Sequence, residues 1–539
     1  MKASEQAAHY ENLRELVFHA GEQFPQTHFF LSSDPDLPFI TGQALLDACG
    51  QFGSWINRRG QCGCHVALLG PNCAAWLTCF FAAASSGCAA VPLYYGSPQD
   101  DLAYCLKRSD AAILLYDKSC EKDAVALRER LPELEILEMH ALLYDLDTIE
   151  EPYFPALKQE DPCALFFTSG TTEQSRCVIL TNRNLGAMAS GAMNVLPLSA
   201  KDTGLSVMPP SHTFEMMTNI VGALHCGGTL YINQSLRTVK ANLKKHAPTI
   251  VVCVPLMLQM LQKEILREVR RKGKTAQFEK ALQVNSMLRR FGIDISKKLF
   301  GEVYAVLGRN LKYFICGGAA LDPELISFFD GLGITVLQGY GITECSPIVS
   351  CNTPDHNRPG SIGRVFPTCE VAILDGEICV RGDTVSAGYY NDPEATALAF
   401  RDGWFHTGDL GRFDKDGYLY YSGRCKNLIV LPNGENVSPE ALEQKLYRVE
   451  GILDAVVYEK DGRIVAEVYA DPKLFPDRDS LWNAISRVNR TVSAFQQIGD
   501  LVMRTEPFDK TATQKIKRYE SRKENKNGRT VERDPGKRR

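Results

Sequence analysis

The sequence lacks the features that mark three common classes of protein. Its 539 residues carry a net charge of −4, so no excess of basic residues favours binding to nucleic acid. It contains no Walker A motif. Residues 66–99 carry no charge, but Pro71, Gly87 and Pro92 interrupt them, which disfavours a membrane span. We expect a buried strand–helix–strand unit there instead.

The cysteines show no pattern of paired spacing. All 18 are scattered, many within apolar stretches, as is typical of reduced, buried thiols in a cytoplasmic protein. Cys62, Cys64 and His65 lie close together, but no second Cys/His pair follows at zinc spacing. A structural role is favoured for these three residues over a metal site.

The pattern of predicted elements indicates an α/β fold with more than one domain. The chain is too long for one hydrophobic core. Short β-type runs alternate with helical patterns from residue 66 to about 337, which predicts mostly parallel sheets covered by helices. Short strands and Gly/Asp-rich turns follow, over about 360–423, as a β-rich subdomain. The predicted domains are residues 1–423 and a small, mobile α+β domain over 424–520, with a basic disordered tail over 521–539.

Residues 261–298 form a basic amphipathic stretch with two interpretations. Contact with an anionic membrane surface would make the protein peripherally membrane-associated. A solvated helical face is the simpler interpretation and is favoured. The sequence leaves the oligomeric state open.

Two predicted loops have the residue types that bind phosphate and nucleotide. One is Thr168-Ser169-Gly170-Thr171-Thr172, after the predicted strand 164–167, with the positive charge of Arg176 nearby. The other comprises residues 338–344, after the predicted strand 334–338. There Tyr340 offers a face for stacking a base, and Glu344 is a suitable oxygen ligand for Mg²⁺. Both loops are expected at the carboxyl edge of a parallel sheet, where ligands collect.

Two later motifs add groups that suit a sugar and a movable charge. Asp409, at the end of residues 402–409, is able to accept hydrogen bonds from two ribose hydroxyls. Arg424 is able to donate to the same sugar or to a phosphate. Lys515 lies in a lysine-rich terminal segment, residues 510–518.

Together and in this order, the four motifs resemble those of the adenylate-forming superfamily of acyl-CoA synthetases, luciferases and stand-alone adenylation enzymes. The resemblance covers residues 10–520 and includes the turn at Gly317-Gly318-Ala319-Ala320 and the loop that begins at Gly434. Residues 209–215, the insert 261–307 and residues 402–427 are most similar to those of long-chain fatty-acyl-CoA synthetases.

The resemblance implies a full set of site residues. Lys515, Glu344, Thr172 and His212 are the implied catalytic residues, and Glu344 is also the implied Mg²⁺ ligand. The implied nucleotide- and CoA-contacting residues are Thr168, Ser169, Gly170, Thr171, Thr172, Arg176, Gly318, Ala319, Ala320, Gln338, Gly339, Tyr340, Gly341, Thr343, Asp409, Arg424, Lys426, Gly434 and Lys515.

The implied activity is that of an AMP-forming acid–thiol ligase. It would use ATP and Mg²⁺ to convert a long-chain fatty acid into an acyl-adenylate, then transfer the acyl group to CoA. The resemblance implies a hinge at Lys426, whose rotation exchanges Lys515 for the Gly434 loop, with His212 as a gate to the thiol channel.

Several positions depart from the usual pattern of the superfamily. Glu173 replaces a glycine, Arg176 a lysine and Gln514 a glycine. Glu173 disfavours pyrophosphate unless it points outward or pairs with Arg176. Two alternatives follow. One is an acyl–acyl-carrier-protein ligase that docks its carrier, through phosphopantetheine, on Arg487, Arg490, Lys517 and Arg518. The other is a catalytically weak homologue that binds acyl groups or nucleotides.

Overall fold

The computed structural model describes residues 9–168, 175–196, 198–431 and 435–510, together with Ile516 and Arg518. The chain divides into two compact units. The first comprises residues up to 168 and residues 176–421, and the second begins at Ser422.

One sheet of the first unit has seven strands. In spatial order they are Gly388–Tyr389, Arg176–Thr181, Pro162–Thr168, Ala89–Pro92, His65–Leu69, Ala111–Tyr116 and Glu135–Glu138. The five strands from Pro162–Thr168 onward are parallel, and the first two pair antiparallel. The charge-free stretch forms the predicted strand–helix–strand unit at the centre of this sheet.

A second sheet has eight strands. In spatial order they are Phe30–Leu31, Thr229–Ile232, Thr203–Ser206, Ile250–Cys253, Tyr313–Cys316, Thr335–Gly341, Ile348–Cys351 and Arg364–Val365. The first six strands are parallel, and the last two pair antiparallel. The predicted α/β class with mostly parallel sheets is therefore confirmed.

Helices lie between the strands of both sheets. They are Leu13–Gln23, Gly42–Arg58, Ala74–Ser85, Gln99–Arg108, Glu121–Arg130, Met139–Leu146, Asn182–Val195, Val239–His246, Pro255–Arg271, Thr275–Arg290, Ser296–Leu299, Gly301–Leu307, Pro323–Gly331 and Pro393–Ala399. Every residue of Ala74–Ser85 is buried, so its lack of charge reflects a core position. No helix among the described residues is both long and apolar enough to cross a membrane.

The predicted β-rich subdomain is present as a third sheet. It contains Glu370–Leu374, Glu377–Arg381, Trp404–Phe413 and Phe400–Arg401, and a strand that begins at Leu419 pairs with Trp404–Phe413. Backbone hydrogen bonds join Leu419 to Ile362 and Gly363, which ties this sheet to the segment between the last two strands of the eight-stranded sheet.

The second unit is a small α+β structure. Ile452–Lys460 pairs antiparallel with Arg463–Ala470, which pairs parallel with Asp500–Arg504. The helices Pro439–Tyr447 and Arg478–Asn489 pack on these strands through a core of buried aliphatic residues. Ile429–Val430 and Asn436–Val437 form a separate two-stranded ribbon.

Two boundaries around residues 209–215 bear on the site. The strand Thr203–Ser206 ends shortly before Pro209 and Pro210, which cannot continue the sheet. The helical segment that follows begins at Thr213 and contains a π-helical turn, Met216–Ile220, between two α-helical segments.

Candidate active site

The predicted phosphate loop leaves one antiparallel strand and returns on the next. Thr168 and Arg176 are direct partners in the ladder between these two strands. Ser169, Gly170, Thr171, Thr172 and Glu173 lie outside the described residues. The pairing of Thr168 with Arg176 therefore holds the two ends of the loop side by side at one end of these strands.

Arg176 is joined to Glu344 through a tyrosine. Its guanidinium lies 4.9 Å from the centre of the Tyr389 ring, with Nη1 3.4 Å from the Tyr389 hydroxyl. That hydroxyl donates to Oε1 of Glu344 at 2.8 Å. Burial, and then the charge of Glu344, raise the pKa of Tyr389 well above its ordinary value, so it remains a donor. No sequence motif indicated Tyr389, which lies beside Arg176 because the strand Gly388–Tyr389 pairs with Arg176–Thr181.

The residues of the second predicted loop are partly strand. Gln338, Gly339, Tyr340 and Gly341 lie within Thr335–Gly341, which corrects the prediction that the strand ends at 338. The ladder to Ile348–Cys351 is irregular between Tyr340 and Gly341. Thr343 and Glu344 follow in a 3₁₀ turn, so the strand positions Tyr340 and the turn positions Glu344.

Tyr340 and Asp409 form the second tyrosine–carboxylate pair of the site. The Tyr340 hydroxyl donates to Oδ2 of Asp409 at 2.8 Å. Asp409 is almost completely buried, with 2% of its surface exposed. Burial, and then the charge of Asp409, raise the pKa of Tyr340 well above its ordinary value. The Asp409 carboxylate is therefore held by the hydroxyl of a tyrosine that stays protonated and donates a hydrogen bond to it.

Backbone contacts fix Asp409 on the strand Trp404–Phe413. Its N–H donates to the Thr407 hydroxyl at 3.0 Å, and that hydroxyl donates to the carbonyl of Ile378 at 2.7 Å. The N–H of Gly408 donates to Oε1 of Glu377 at 2.7 Å. Asp409 is therefore set by two neighbouring strands.

Glu377 also belongs to a Cys/His/Glu group. Its Oε2 lies 2.9 Å from Nδ1 of His406, which is 3.4 Å from the sulfur of Cys379. These atoms are close enough together to hold a metal ion. An amino group of Arg401 lies 3.1 Å from the same Nδ1, and this cation disfavours a second one. The group is best explained as part of the support for Asp409.

The Gly317–Ala320 turn lies next to the predicted acyl motif. A Cβ atom added to Gly317 would sit 3.0 Å from the Phe214 ring, so the glycine allows close packing. Gly318 has a positive φ of 81°, and it is exposed together with Ala319, while Ala320 is half-buried.

His212 caps the segment that carries Phe214. Its Nδ1 accepts from the N–H of Phe214 at 3.2 Å. The hydroxyls of Thr213 and Thr343 are 3.3 Å apart, which brings the acyl motif beside the turn that holds Glu344. Thr343, a predicted site residue, therefore contacts Thr213, the residue that follows His212.

Glu215, in the same segment, is fully buried. Burial raises the pKa of its carboxyl to about 8, although hydrogen bonds with Ser206 and Asn219 oppose the shift. The amide of Asn219 donates to its Oε1 at 2.8 Å. Glu215 is therefore neutral at pH 7, which sequence reasoning did not anticipate.

The predicted site residues of the second unit are Arg424, Lys426, Gly434 and Lys515. The carbonyl of Arg424 accepts from the N–H of Leu428 at 3.1 Å, and Lys426 is exposed. Asn427, the residue after Lys426, donates to Glu440 at 2.8 Å. Gly434 and Lys515 lie outside the described residues.

The residues on both sides of Lys515 are anchored to this unit. Lys510 pairs with Asp454 at 2.7 Å and forms an isolated antiparallel bridge with Ile516. Arg518 forms an ion pair with Glu443. Burial raises the pKa of Glu443 to about 7, an effect that Arg518 opposes. The contacts of Lys510, Ile516 and Arg518 therefore attach the residues on both sides of Lys515 to the second unit.

Comparisons with known proteins give consistent results. Residues 17–390 match the family model described as AMP-binding enzyme. A long-chain-fatty-acid–CoA ligase of Mycobacterium bovis is 30% identical over 514 residues, which cover 87% of this chain and 84% of that protein.

Two solved structures share the fold. The anthranilate CoA ligase AuaEII, in complex with anthranoyl-AMP, superposes with a TM-score of 0.78 at 22% identity, covering 97% of this chain and 99% of that one. The O-succinylbenzoate coenzyme A synthetase of Bacillus subtilis, in complex with ATP and a magnesium ion, superposes with a TM-score of 0.73 at 22% identity, covering 94% and 98%.

Proposed function

Because this chain belongs to the AMP-binding enzyme family, we propose that it is a long-chain fatty acid–CoA ligase that forms an acyl-adenylate. The observation that best supports the proposal is the pair of buried carboxylates, Glu344 and Asp409, each held by the hydroxyl of a tyrosine. One carboxylate can bind the metal ion on the phosphate chain of a nucleotide, and the other can accept hydrogen bonds from its ribose hydroxyls.

The proposed first step is attack of the fatty acid carboxylate on the α-phosphate of ATP. Two anions must be held in line, and the charge that develops at phosphorus must be neutralised. Residues 168–172 would grip the departing pyrophosphate, with Arg176 as the fixed cation beside them. Lys515 would bridge the carboxylate and phosphate charges.

Glu344 has the chemistry of a magnesium ligand. It is a buried carboxylate, a hard oxygen donor, and Tyr389 orients one of its oxygens. Mg²⁺ bound there would neutralise phosphate charge, while Tyr389 holds the carboxylate and Arg176 stacks on the same ring.

The remaining contacts of the nucleotide are assigned here to residues on and near the strand that carries Tyr340 and to the turn at Gly317–Ala320. The residues that would frame adenine are Gly318, Ala319, Ala320, Gln338, Gly339, Tyr340 and Gly341. Asp409 would accept from the ribose hydroxyls, with Arg424 as a further donor. Tyr340 would then have two functions: its ring would face the base, while its hydroxyl holds Asp409.

The second step would be attack of the CoA thiol on the carbonyl carbon of the acyl-adenylate, which forms the thioester, breaks the bond to phosphate and releases AMP. In this proposal the second unit turns at Lys426, which withdraws Lys515 and brings the Gly434 loop to the adenylate. His212, beside the turn that carries Glu344, would separate the acyl pocket from the thiol channel. The ion pairs at Lys510 and Arg518 would make the Lys515 segment move with its domain.

The experiment that tests this proposal is ATP–pyrophosphate exchange with fatty acids of increasing length. Exchange should depend on the acid and should be lost in Lys515→Ala. Lys473→Ala, which removes an exposed lysine of the same domain, is the matched control and should behave like the parent. The absence of exchange with any acid, despite binding of ATP, would favour a catalytically weak binding homologue instead.

The acyl acceptor is tested separately, by comparing free CoA with a phosphopantetheinylated carrier protein. A fatty acid–CoA ligase should form the thioester efficiently with free CoA. Preference for the carrier, reduced in Arg487→Gln/Arg490→Gln, would instead indicate an acyl–acyl-carrier-protein ligase. Both arginines are exposed in the second unit, so their replacement should leave exchange unchanged.

A further inference from the structure

The helix Thr275–Arg290 presents an apolar stripe to solvent. Val284, Met287 and Phe291 follow each other at spacings of three and four residues, which places them on one side of the helix and its end. Their exposed fractions are 38%, 56% and 77%, and Ile293 in the next turn is 50% exposed. Large exposed apolar side chains that cluster in this way mark an interaction surface.

The opposite side of this helix is firmly fixed. The amide of Asn285 is fully buried and donates to Ser296 at 2.8 Å and to the carbonyl of Gly331 at 2.9 Å. Arg289 binds Asp330 through its side chain at 2.8 Å. The exposed stripe is therefore a feature of the folded structure that these contacts orient outward.

Cations flank the stripe along the chain. Lys280 precedes it, Arg290 lies within it, and Lys297 and Lys298 follow, and none of the four forms an ion pair with any residue in the described ranges. The acidic residues nearby in the chain are Glu279 and Asp294. Asp294 accepts from the N–H of Ser296 at 2.9 Å and interacts electrostatically with Arg289 and Lys297. The segment thus combines exposed apolar groups with more cations than acidic residues.

The preceding helix, Pro255–Arg271, differs mainly in its apolar side chains. Arg271 pairs with Glu268 at 2.6 Å, and Lys272, which follows the helix, pairs with Glu302 at 2.8 Å. Met260 is the one large apolar side chain on this helix that is exposed, at 64%. The cluster of exposed large apolar side chains therefore lies in the second half of the stretch 261–298, whereas the first half is consistent with the solvated face that the sequence favoured.

We propose that Val284, Met287, Phe291 and Ile293, with Lys280, Arg290, Lys297 and Lys298, form a docking surface for an anionic lipid membrane. Apolar side chains flanked by lysine and arginine match an interface in which hydrocarbon lies beneath anionic headgroups. The proposal does not depend on the proposed reaction, because binding needs neither ATP nor an acid.

Cosedimentation of the full chain with phosphatidylcholine vesicles, with and without phosphatidylserine, tests this surface. Binding should require phosphatidylserine and should weaken strongly as salt is raised. Lys297→Gln/Lys298→Gln should weaken binding at low salt about thirtyfold, since each cation near an anionic surface contributes about a fivefold factor. Lys118→Gln/Lys122→Gln, two exposed lysines of the seven-stranded lobe, should bind like the parent.

The apolar contribution is tested with Phe291→Ser, which should weaken binding about tenfold or more. Tyr144→Ser is its control, because Tyr144 is 78% exposed but lies on the helix Met139–Leu146. Equal binding of the site and control variants, or no binding of the parent to anionic vesicles at low salt, would overturn the proposal. Concentration-dependent dimerisation lost in Phe291→Ser, without vesicle binding, would instead assign the surface to a second copy of the chain. ATP binding, measured in parallel, checks that each variant is folded.

Discussion

The hydroxyl of Tyr389 donates a hydrogen bond to Oε1 of Glu344 at 2.8 Å, although the two residues are 45 positions apart in the chain. The same ring supports the guanidinium of Arg176. One tyrosine therefore links the candidate metal ligand to the cation beside the predicted phosphate loop.

We expect Tyr389→Phe to lower kcat/KM for adenylation about tenfold or more. The substitution keeps the ring under Arg176 but removes a hydrogen bond to a charged group, which contributes about 1.5–3 kcal/mol. Tyr390→Phe is the control, since its hydroxyl binds Asp110 on the surface at 3.0 Å. Equal rates for the two variants, measured by ATP–pyrophosphate exchange, would show that Tyr389 does not position Glu344.

Tyr340→Phe should raise the KM for ATP and also destabilise the fold. The buried Asp409 loses a donor, at a cost of about 1.5–3 kcal/mol, while the ring remains available for the base. Thermal unfolding and ATP titration measure the two effects. Tyr144→Phe, at an exposed position, should change neither. A normal KM in Tyr340→Phe would argue against Asp409 as the ribose acceptor.

Glu215 should make stability depend on pH. Its carboxyl is neutral in the folded protein up to a pKa of about 8 but ionises near its ordinary value of 4.5 when unfolded. The unfolded state therefore releases a proton first, and stability should fall as pH rises from about 5 to about 8. The loss is several kcal/mol, at most about 5 kcal/mol.

Glu215→Gln should remove this fall, because the amide does not ionise and its oxygen still accepts from Asn219. The measurement is the thermal midpoint of parent and variant across this pH range. Their curves should converge at low pH and separate at pH 8, with the variant more stable. Parallel curves would show that Glu215 titrates normally.

Gly341→Ala should weaken ATP binding and lower the thermal stability of the protein. A Cβ atom there would lie 2.1 Å from the carbonyl oxygen of Pro347, so the strand and the turn that carries Glu344 must separate. Overpacking of this kind costs about 1–3 kcal/mol or more. Gly301→Ala, where the added carbon meets nothing within 4 Å, should behave like the parent. Isothermal titration with ATP and thermal unfolding distinguish the two variants.

Local patterns predicted the elements that carry the site but not all of their boundaries. The charge-free stretch became a strand–helix–strand unit because a fully buried segment has no room for ionised groups. The strand that carries Tyr340 continues to Gly341, beyond its predicted end. The strand is longer because it pairs with Ile348–Cys351, and the motif at residues 338–344 does not predict that partner strand.

The sequence by itself determined the α/β class and the order of the motifs, because periodicity and turn residues act over a few neighbouring positions. It also showed which side chains carry charge near those motifs. Only the tertiary structure decided that Tyr389 lies between Arg176 and Glu344, that Phe214 packs on Gly317, and that Glu215 is neutral. These relationships arise from pairing and burial between distant segments, and burial sets both the hydrogen-bond partners of a polar group and its pKa.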